Sequence, residues 1–88
     1  MVSDADFNRL CWHSRRGMLE LDLVLEPFVK QQFRQLSELN QQRYEQLLEC
    51  EDQDLFVWLM LRGEPDDKEL TGIVSQILQF THSAADDR

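Results

Sequence analysis

Apolar residues recur at helical spacing along nearly the whole chain. Near the N-terminus, Phe7, Leu10 and Cys11 stand at i, i+3 and i+4, the spacing that turns one face of a helix toward a core. Ser3, followed three residues on by Asp6, has the form of a capping box. The pattern predicts a first helix over roughly 4–14, broken by Gly17. A second helix is predicted over about 18–34, with Leu21, Val24, Leu25 and Phe28 as one stripe. Leu19, Leu23 and Val29 cover much of another face. A helix that is apolar on most sides is expected to be central. Pro27 deprives the Leu23 carbonyl of its donor, which predicts a kink there.

Ser37 is a good N-cap for a third helix over about 38–50, with Leu39, Tyr44, Leu47 and Leu48 facing the core. Asp52 caps the next segment, in which Leu55 to Leu61 are all apolar. Periodicity alone cannot separate a buried strand from a buried helix in such a run. No other segment offers a strand to pair with, and a lone strand leaves its backbone unsatisfied. The run is therefore read as a fourth helix, ended by Gly63. Asp66 and Glu69 form another capping pair before a fifth helix over about 67–81. Its stripe of Leu70, Ile73, Val74, Ile77 and Leu78 follows the helical rule without a miss. Ser83 to Arg88 are small and polar and are expected to fray. The expected fold is all-α: a compact five-helix single domain over residues 1–88.

Length and charge narrow the function. A chain of 88 residues has a small core and little room for a deep enclosed site. Function is then expected on the surface, as binding. The formal net charge of −8 argues against nucleic acid as a partner. Charge is unevenly placed: residues 1–16 carry a net +1 and residues 17–88 a net −9. The N-terminal hairpin is thus expected to form a basic island on an acidic protein. No run of about 18 apolar residues exists, so no membrane insertion is expected. No signal-peptide core precedes the first helix, so a cytoplasmic protein is expected. In that compartment Cys11 and Cys50 are expected as free thiols. A monomer is expected, because no heptad stripe persists long enough to drive a coiled coil.

Enzymatic chemistry finds little support. Cys11 and His13 lie at i and i+2, on different faces of a helix, so they cannot form a dyad. Cys11, His13, Cys50 and His82 match no zinc-ligand spacing, and no metal is expected. Three glycines build no phosphate loop, Rossmann fingerprint or nucleophile elbow. Trp12 lies off the first helix's stripe, either as an exposed anchor for a partner or folded over the bundle. Trp58, in the most apolar run, is read as core. The acidic run Glu49, Glu51, Asp52, Asp54 is read mainly as a solvated corner and helix cap.

The most informative segment is Arg15-Arg16-Gly17-Met18-Leu19-Glu20-Leu21-Asp22. Its plain reading is a glycine turn with an Arg16–Glu20 pair, worth about 0.3–0.5 kcal/mol if exposed. The alternative is a docking site. Gly17 lacks a Cβ, so a partner's backbone could approach closely there. Glu20, in the first turn of the second helix, is an ionised acceptor for cationic or N–H groups. Arg15 and Arg16 offer forked donors for carboxylate or phosphate.

This segment, with its R-G-x-x-E core followed by Leu-x-Leu, resembles the signature of the bacterial FAD assembly factors of succinate dehydrogenase and fumarate reductase. The resemblance continues through Phe28, Phe33, Leu47-Leu48 before Asp52, Asp54-Leu55 and Trp58-Leu59, and spans nearly the whole chain. It implies a five-helix fold. It implies a maturation chaperone, not an enzyme, that binds the flavoprotein subunit of succinate dehydrogenase and of fumarate reductase. Such a factor promotes covalent attachment of FAD to a histidine of that subunit. It holds no cofactor stably; FAD is attached on the partner. By position, the resemblance implies Arg16, Gly17 and Glu20 as partner-binding residues, flanked by Arg15, Met18 and Asp22. Two rival functions stand beside it: the antitoxin of a toxin–antitoxin pair acting at the membrane or cytoskeleton, and a generic helical adaptor.

Overall fold

Ser3 opens the first helix by accepting a hydrogen bond from the Asp6 amide at 3.1 Å, one of the donors that a helix start leaves free. The computed structural model describes the backbone of residues 3–86 and the side chains of residues 3–82. Helix α1 spans Asp4–His13 and α2 spans Leu19–Gln32. A 3₁₀ turn, Phe33–Gln35, follows α2 directly. Ser37 caps α3 (Glu38–Leu48) by accepting from the Asn40 amide at 3.2 Å. Helices α4 (Asp52–Met60) and α5 (Lys68–Asp86) complete the chain, and there is no strand among the described residues.

All five helices feed one core. Leu10 comes from α1; Leu21, Val24, Leu25, Phe28 and Val29 from α2; Tyr44, Leu47 and Leu48 from α3. Leu55 and Leu59 come from α4, and Leu70, Ile73, Val74 and Ile77 from α5. Helix α2 lies centrally, in contact with α1, α4 and α5, while α3 packs against α5. The centre is aromatic. Tyr44 stands 5.6 Å from Phe28 and 5.7 Å from Phe33 between ring centroids, and Phe80 meets Phe28 edge-on at 5.6 Å. These tilted and edge-on pairings suit the ring quadrupoles.

The five expected helices are present, and several expected details are not. Helix α2 is central, but only on part of its surface. Leu19 and Leu23 lie opposite its buried stripe and are exposed, whereas Val29 is buried. Leu39 is exposed too, because it sits five residues before Tyr44, on the far side of α3. In the apolar run of α4 only Leu55 and Leu59 are buried; Trp58 is half-buried, and Val57 and Leu61 face outward. Neighbouring helices cover about half of α4, so composition alone overstated its burial. Pro27 sits within α2 without ending it; the carbonyl it leaves unbonded belongs to exposed Leu23, on the outward side of the helix.

Helix ends also differ. Glu51 is the N-cap of α4, and Asp52 is already helical. Asp67, not Asp66, accepts from the Glu69 amide at the start of α5, at 2.9 Å. The chain turns after α4 at Arg62, which takes the left-handed conformation with φ of +60°. Gly63 is needed for a close approach: a Cβ there would lie 2.5 Å from the Val57 Cγ1. Helix α5 continues through Asp86, so residues 83–86 are helical rather than frayed, and residues 87–88 lie outside the described residues.

Candidate functional site

The turn between α1 and α2 is built around Arg16. Its backbone N–H donates to Asp22 Oδ1 at 2.7 Å, which ties the turn to the first turn of α2. Its side chain, only 16% exposed, points into the molecule. Nε donates to Asp52 Oδ1 at 2.7 Å. One terminal nitrogen donates to the carbonyls of His13 (3.2 Å) and Leu48 (2.8 Å), and the other to the carbonyl of Cys50 (2.9 Å). His13 and Leu48 are the last residues of α1 and α3, whose final carbonyls have no helical donor. A cation there complements two negative helix ends, while Asp52 lies in the positive first turn of α4. The planar fork suits this set of acceptors, which a lysine could not reach together.

This geometry corrects two expectations. No Arg16–Glu20 ion pair forms, because Arg16 is engaged inward and Glu20 is exposed on α2. Nor is the N-terminal hairpin a basic island. Arg9 lies 3.8 Å from Asp6, Arg15 lies 3.3 Å from Glu26, and Arg16 is bound to Asp52. For Arg15 and Arg16, folding brings carboxylates of α2 and α4 against cations that sequence position had grouped.

The remaining motif residues divide between frame and surface. Gly17 has φ of +80°, and a Cβ added there would meet nothing within 4 Å. Its glycine is therefore required by backbone conformation within this chain, while the space outside it is open. Met18 is half-buried against the core, and its carbonyl accepts from the Asp22 amide at 3.0 Å. Asp22 is half-buried and occupied by the Arg16 amide. Glu20 and Arg15 are exposed, and the Arg15 guanidinium lies 5.6 Å from the Trp12 ring centroid.

Around the motif lie apolar residues that the pattern had assigned to the core or left open. Trp12 is 71% exposed, Leu19 69% and Leu23 66%. Leu19, Leu23 and Glu26 recur at i, i+4 and i+7 on the outward side of α2, and Glu26 meets Arg15 beside Trp12. The outward face of α2 is therefore continuous with the exposed end of α1. The signal was present in the sequence as excess: α2 has more apolar positions than one buried stripe needs. Asp52 was read as a cap because an Asp at a helix start usually is one; Glu51 takes that position, and the approach of Arg16 across the fold gives Asp52 its partner.

Elsewhere the surface offers few chemical groups. Burial, and then the Asp54 carboxylate, push the Cys50 thiol up, which favours its protonated form. Cys11 and Cys50 are both free thiols. Among the described residues no group of three His, Cys, Asp or Glu side chains gathers as a metal site, and no helix is long and apolar enough to cross a membrane. A cleft of about 470 Å³ between α1 and α3 is lined by Asp6, Arg9, His13, Glu38 and Glu45 among others, and it touches neither Gly17 nor Glu20.

Comparison with known proteins shows the family. The profile of the family described as Sdh5, flavinator of succinate dehydrogenase, matches residues 8–81. The FAD assembly factor SdhE of Pseudomonas aeruginosa is 53% identical over 78 residues, covering 89% of this chain and 93% of the relative. SdhE of Aliivibrio fischeri is 43% identical over 83 residues, covering 94% and 96%. SdhE of Yersinia pestis is 48% identical over 69 residues, covering 78% of each. With its fold, its turn motif and these matches together, the chain belongs to the Sdh5 family, the flavinators of succinate dehydrogenase, and its class of function is FAD assembly.

Proposed function

We propose that this protein binds the flavoprotein subunit of succinate dehydrogenase, and that of fumarate reductase, through the face formed by the α1–α2 turn and the outward side of α2, and so promotes covalent attachment of FAD to that subunit. One observation carries the reading. Gly17, open to solvent and in a left-handed conformation, leads within three residues to exposed Glu20; exposed Leu19 and Leu23 lie on the same helix as Glu20, and exposed Trp12 stands beside Arg15. Such a face combines an anion, a position without a side chain and large apolar anchors, the composition of a protein-docking surface. Family membership supports the identity of the partner.

The factor works by binding and orientation rather than by turnover chemistry of its own. Bond formation belongs to the flavin and its acceptor histidine, and holding them in a reactive geometry lowers the entropic part of the barrier. FAD stays with the partner. In support, the carboxylates Asp6, Glu38 and Glu45 line the cleft between α1 and α3, where they disfavour a pyrophosphate. Of the motif residues, Arg15, Gly17, Met18 and Glu20 form the contact, while Arg16 and Asp22 hold its shape. The protein acts as a monomer in the cytoplasm.

The test is covalent flavin fluorescence of the flavoprotein subunit in cells whose only copy of this gene carries Gly17→Arg or Glu20→Ala. Glu20→Ala is expected at normal abundance and Gly17→Arg, strained at φ of +80°, at lower abundance, both with less covalent flavin on the subunit than their abundance accounts for. Normal flavin levels with both would remove this face as the docking site.

A further inference from the structure

We propose that Asp52, on α4, is a positioning residue for the Gly17–Glu20 surface: with Asp22 it clamps Arg16 and so holds the α1–α2 turn in the form that the flavoprotein subunit recognises. The inference rests on the docking reading given above. Asp52 is 36 residues from Arg16 in the chain, yet its carboxylate is bound to the Arg16 Nε at 2.7 Å. Asp22 holds the same residue by its backbone amide, also at 2.7 Å. The two carboxylates therefore grip Arg16 from opposite ends, one through the side chain and one through the main chain.

Carbonyl contacts of the guanidinium and the packing of half-buried Met18 also bear on the turn, but none of them holds its main chain through a charge. Gly17 follows Arg16 immediately, and glycine has the widest backbone freedom of any residue. Met18, the N-cap of α2, makes no side-chain capping bond. The carbonyls of His13, Leu48 and Cys50 locate the guanidinium, but they are neutral partners. Every guanidinium bond here is charge-assisted, but only Asp52 sets an opposite full charge against it, and only Asp22 holds the main-chain amide of Arg16. The guanidinium links the end of α1 to the α3–α4 corner, so the turn's position is set by a helix corner distant in sequence. Loosening the clamp frees Gly17 to sample other conformations and moves Glu20 relative to α1.

The consequence is quantitative. If release of the clamp leaves the turn in its docking form one tenth of the time, the apparent Kd rises about tenfold. Replacing Asp52 by Asn keeps the shape and removes the charge. Asp52→Asn is expected to retain the helical circular dichroism of the wild type. It should exchange its amides over residues 16–19 faster, bind the purified flavin-free flavoprotein subunit of succinate dehydrogenase about tenfold more weakly, and support less covalent flavin. Because a smaller docking-competent fraction scales whatever affinity the surface has, the fold-losses of Asp52→Asn and Glu20→Ala should multiply in the double variant. Ile77→Val, which loosens the core far from the turn, serves as the stability control and should flavinylate normally.

Wild-type affinity and flavin levels with Asp52→Asn would overturn the proposal. So would weaker binding by Asp52→Asn with unchanged amide exchange over residues 16–19, which would make Asp52 a direct contact, or an equal loss with Ile77→Val, which would reduce the effect to general stability. Should Asp52→Asn fail to fold, Asp22→Asn, which loosens the turn from the α2 side, replaces it with the same outcomes. The docking reading fails separately: Glu20→Ala binding and flavinylating as wild type would sink it, whereas loss with Glu20→Ala but not with Asp52→Asn sinks only the clamp.

Discussion

Ser14 and Tyr44 meet in the core at 2.7 Å between hydroxyl oxygens, joining the end of α1 to the middle of α3. Ser14 gives its only hydrogen to the Leu10 carbonyl at 2.9 Å, so Tyr44 is the donor of the pair. Both side chains are fully buried, and Ser14 is the one buried polar residue of the described core. The bond seats α1 on the aromatic centre directly before the turn that carries Arg16.

Tyr44 should govern the alkaline limit of stability. Burial raises its pKa well above the ordinary value near 10. The folded state thus favours the protonated phenol, and its contribution is fully present below pH ~10 and lost as pH rises toward the folded pKa. Across that window stability should fall by about 1.4 kcal/mol per pH unit through this group. Urea titrations of wild type and Tyr44→Phe from pH 9 to 12 check it, with Tyr44→Phe expected to lack that share of the decline. Equal slopes would show that Tyr44 is not protected. Ser14→Ala should cost about 1–3 kcal/mol at neutral pH, because the Tyr44 hydroxyl is left buried without a partner.

Core and surface leucines should separate cleanly. Ile77→Ala empties a fully buried position and is expected to cost about 2–5 kcal/mol. Leu23→Ala removes an exposed side chain from the outward face of α2 and is expected to cost within about 0.5 kcal/mol. Glu20→Ala, also exposed, belongs with Leu23. Matching midpoints for Ile77→Ala and Leu23→Ala would contradict the burial described for α2 and α5.

Arg16 should resist its conservative replacement. Arg16→Ala strands three carbonyls and the Asp52 carboxylate, with an expected loss of about 1–3 kcal/mol. Arg16→Lys keeps the charge but not the fork, and should recover only part of that loss. Full recovery by lysine in urea unfolding, at unchanged m-value, would mean that charge alone holds the turn.

Gly17→Ala should destabilise by about 1–2 kcal/mol, although its methyl group would touch nothing, because φ of +80° is unfavourable for any residue with a Cβ. Thermal unfolding measures this. No change in midpoint would show that the turn relaxes to another conformation.

Much of the fold was legible in one dimension. The helical period of Leu70, Ile73, Val74, Ile77 and Leu78 specified the inward face of α5; the first four are buried and Leu78 is half-buried against the core. Ser3 and Ser37 announced their helices, and both side chains accept the amide bonds that caps accept. The motif from Arg15 to Asp22 was visible as a string, and it lies at the turn between α1 and α2.

What could not be read was how much of each apolar helix its neighbours cover. Leu19, Leu23 and Leu39 have the same hydrophobicity as buried leucines, and only the placement of adjacent helices leaves them outside. The inward direction of Arg16 was hidden for a related reason. Sequence shows its near neighbour Glu20 at i+4, whereas its partner Asp52 is brought close only when the α3–α4 corner packs against the end of α1. By itself the sequence determined which segments become helices and where the motif falls, because period, caps and glycines act within a few residues. Only the tertiary structure decided which charges pair and which leucines face solvent, because those outcomes depend on groups that the chain separates and packing brings together.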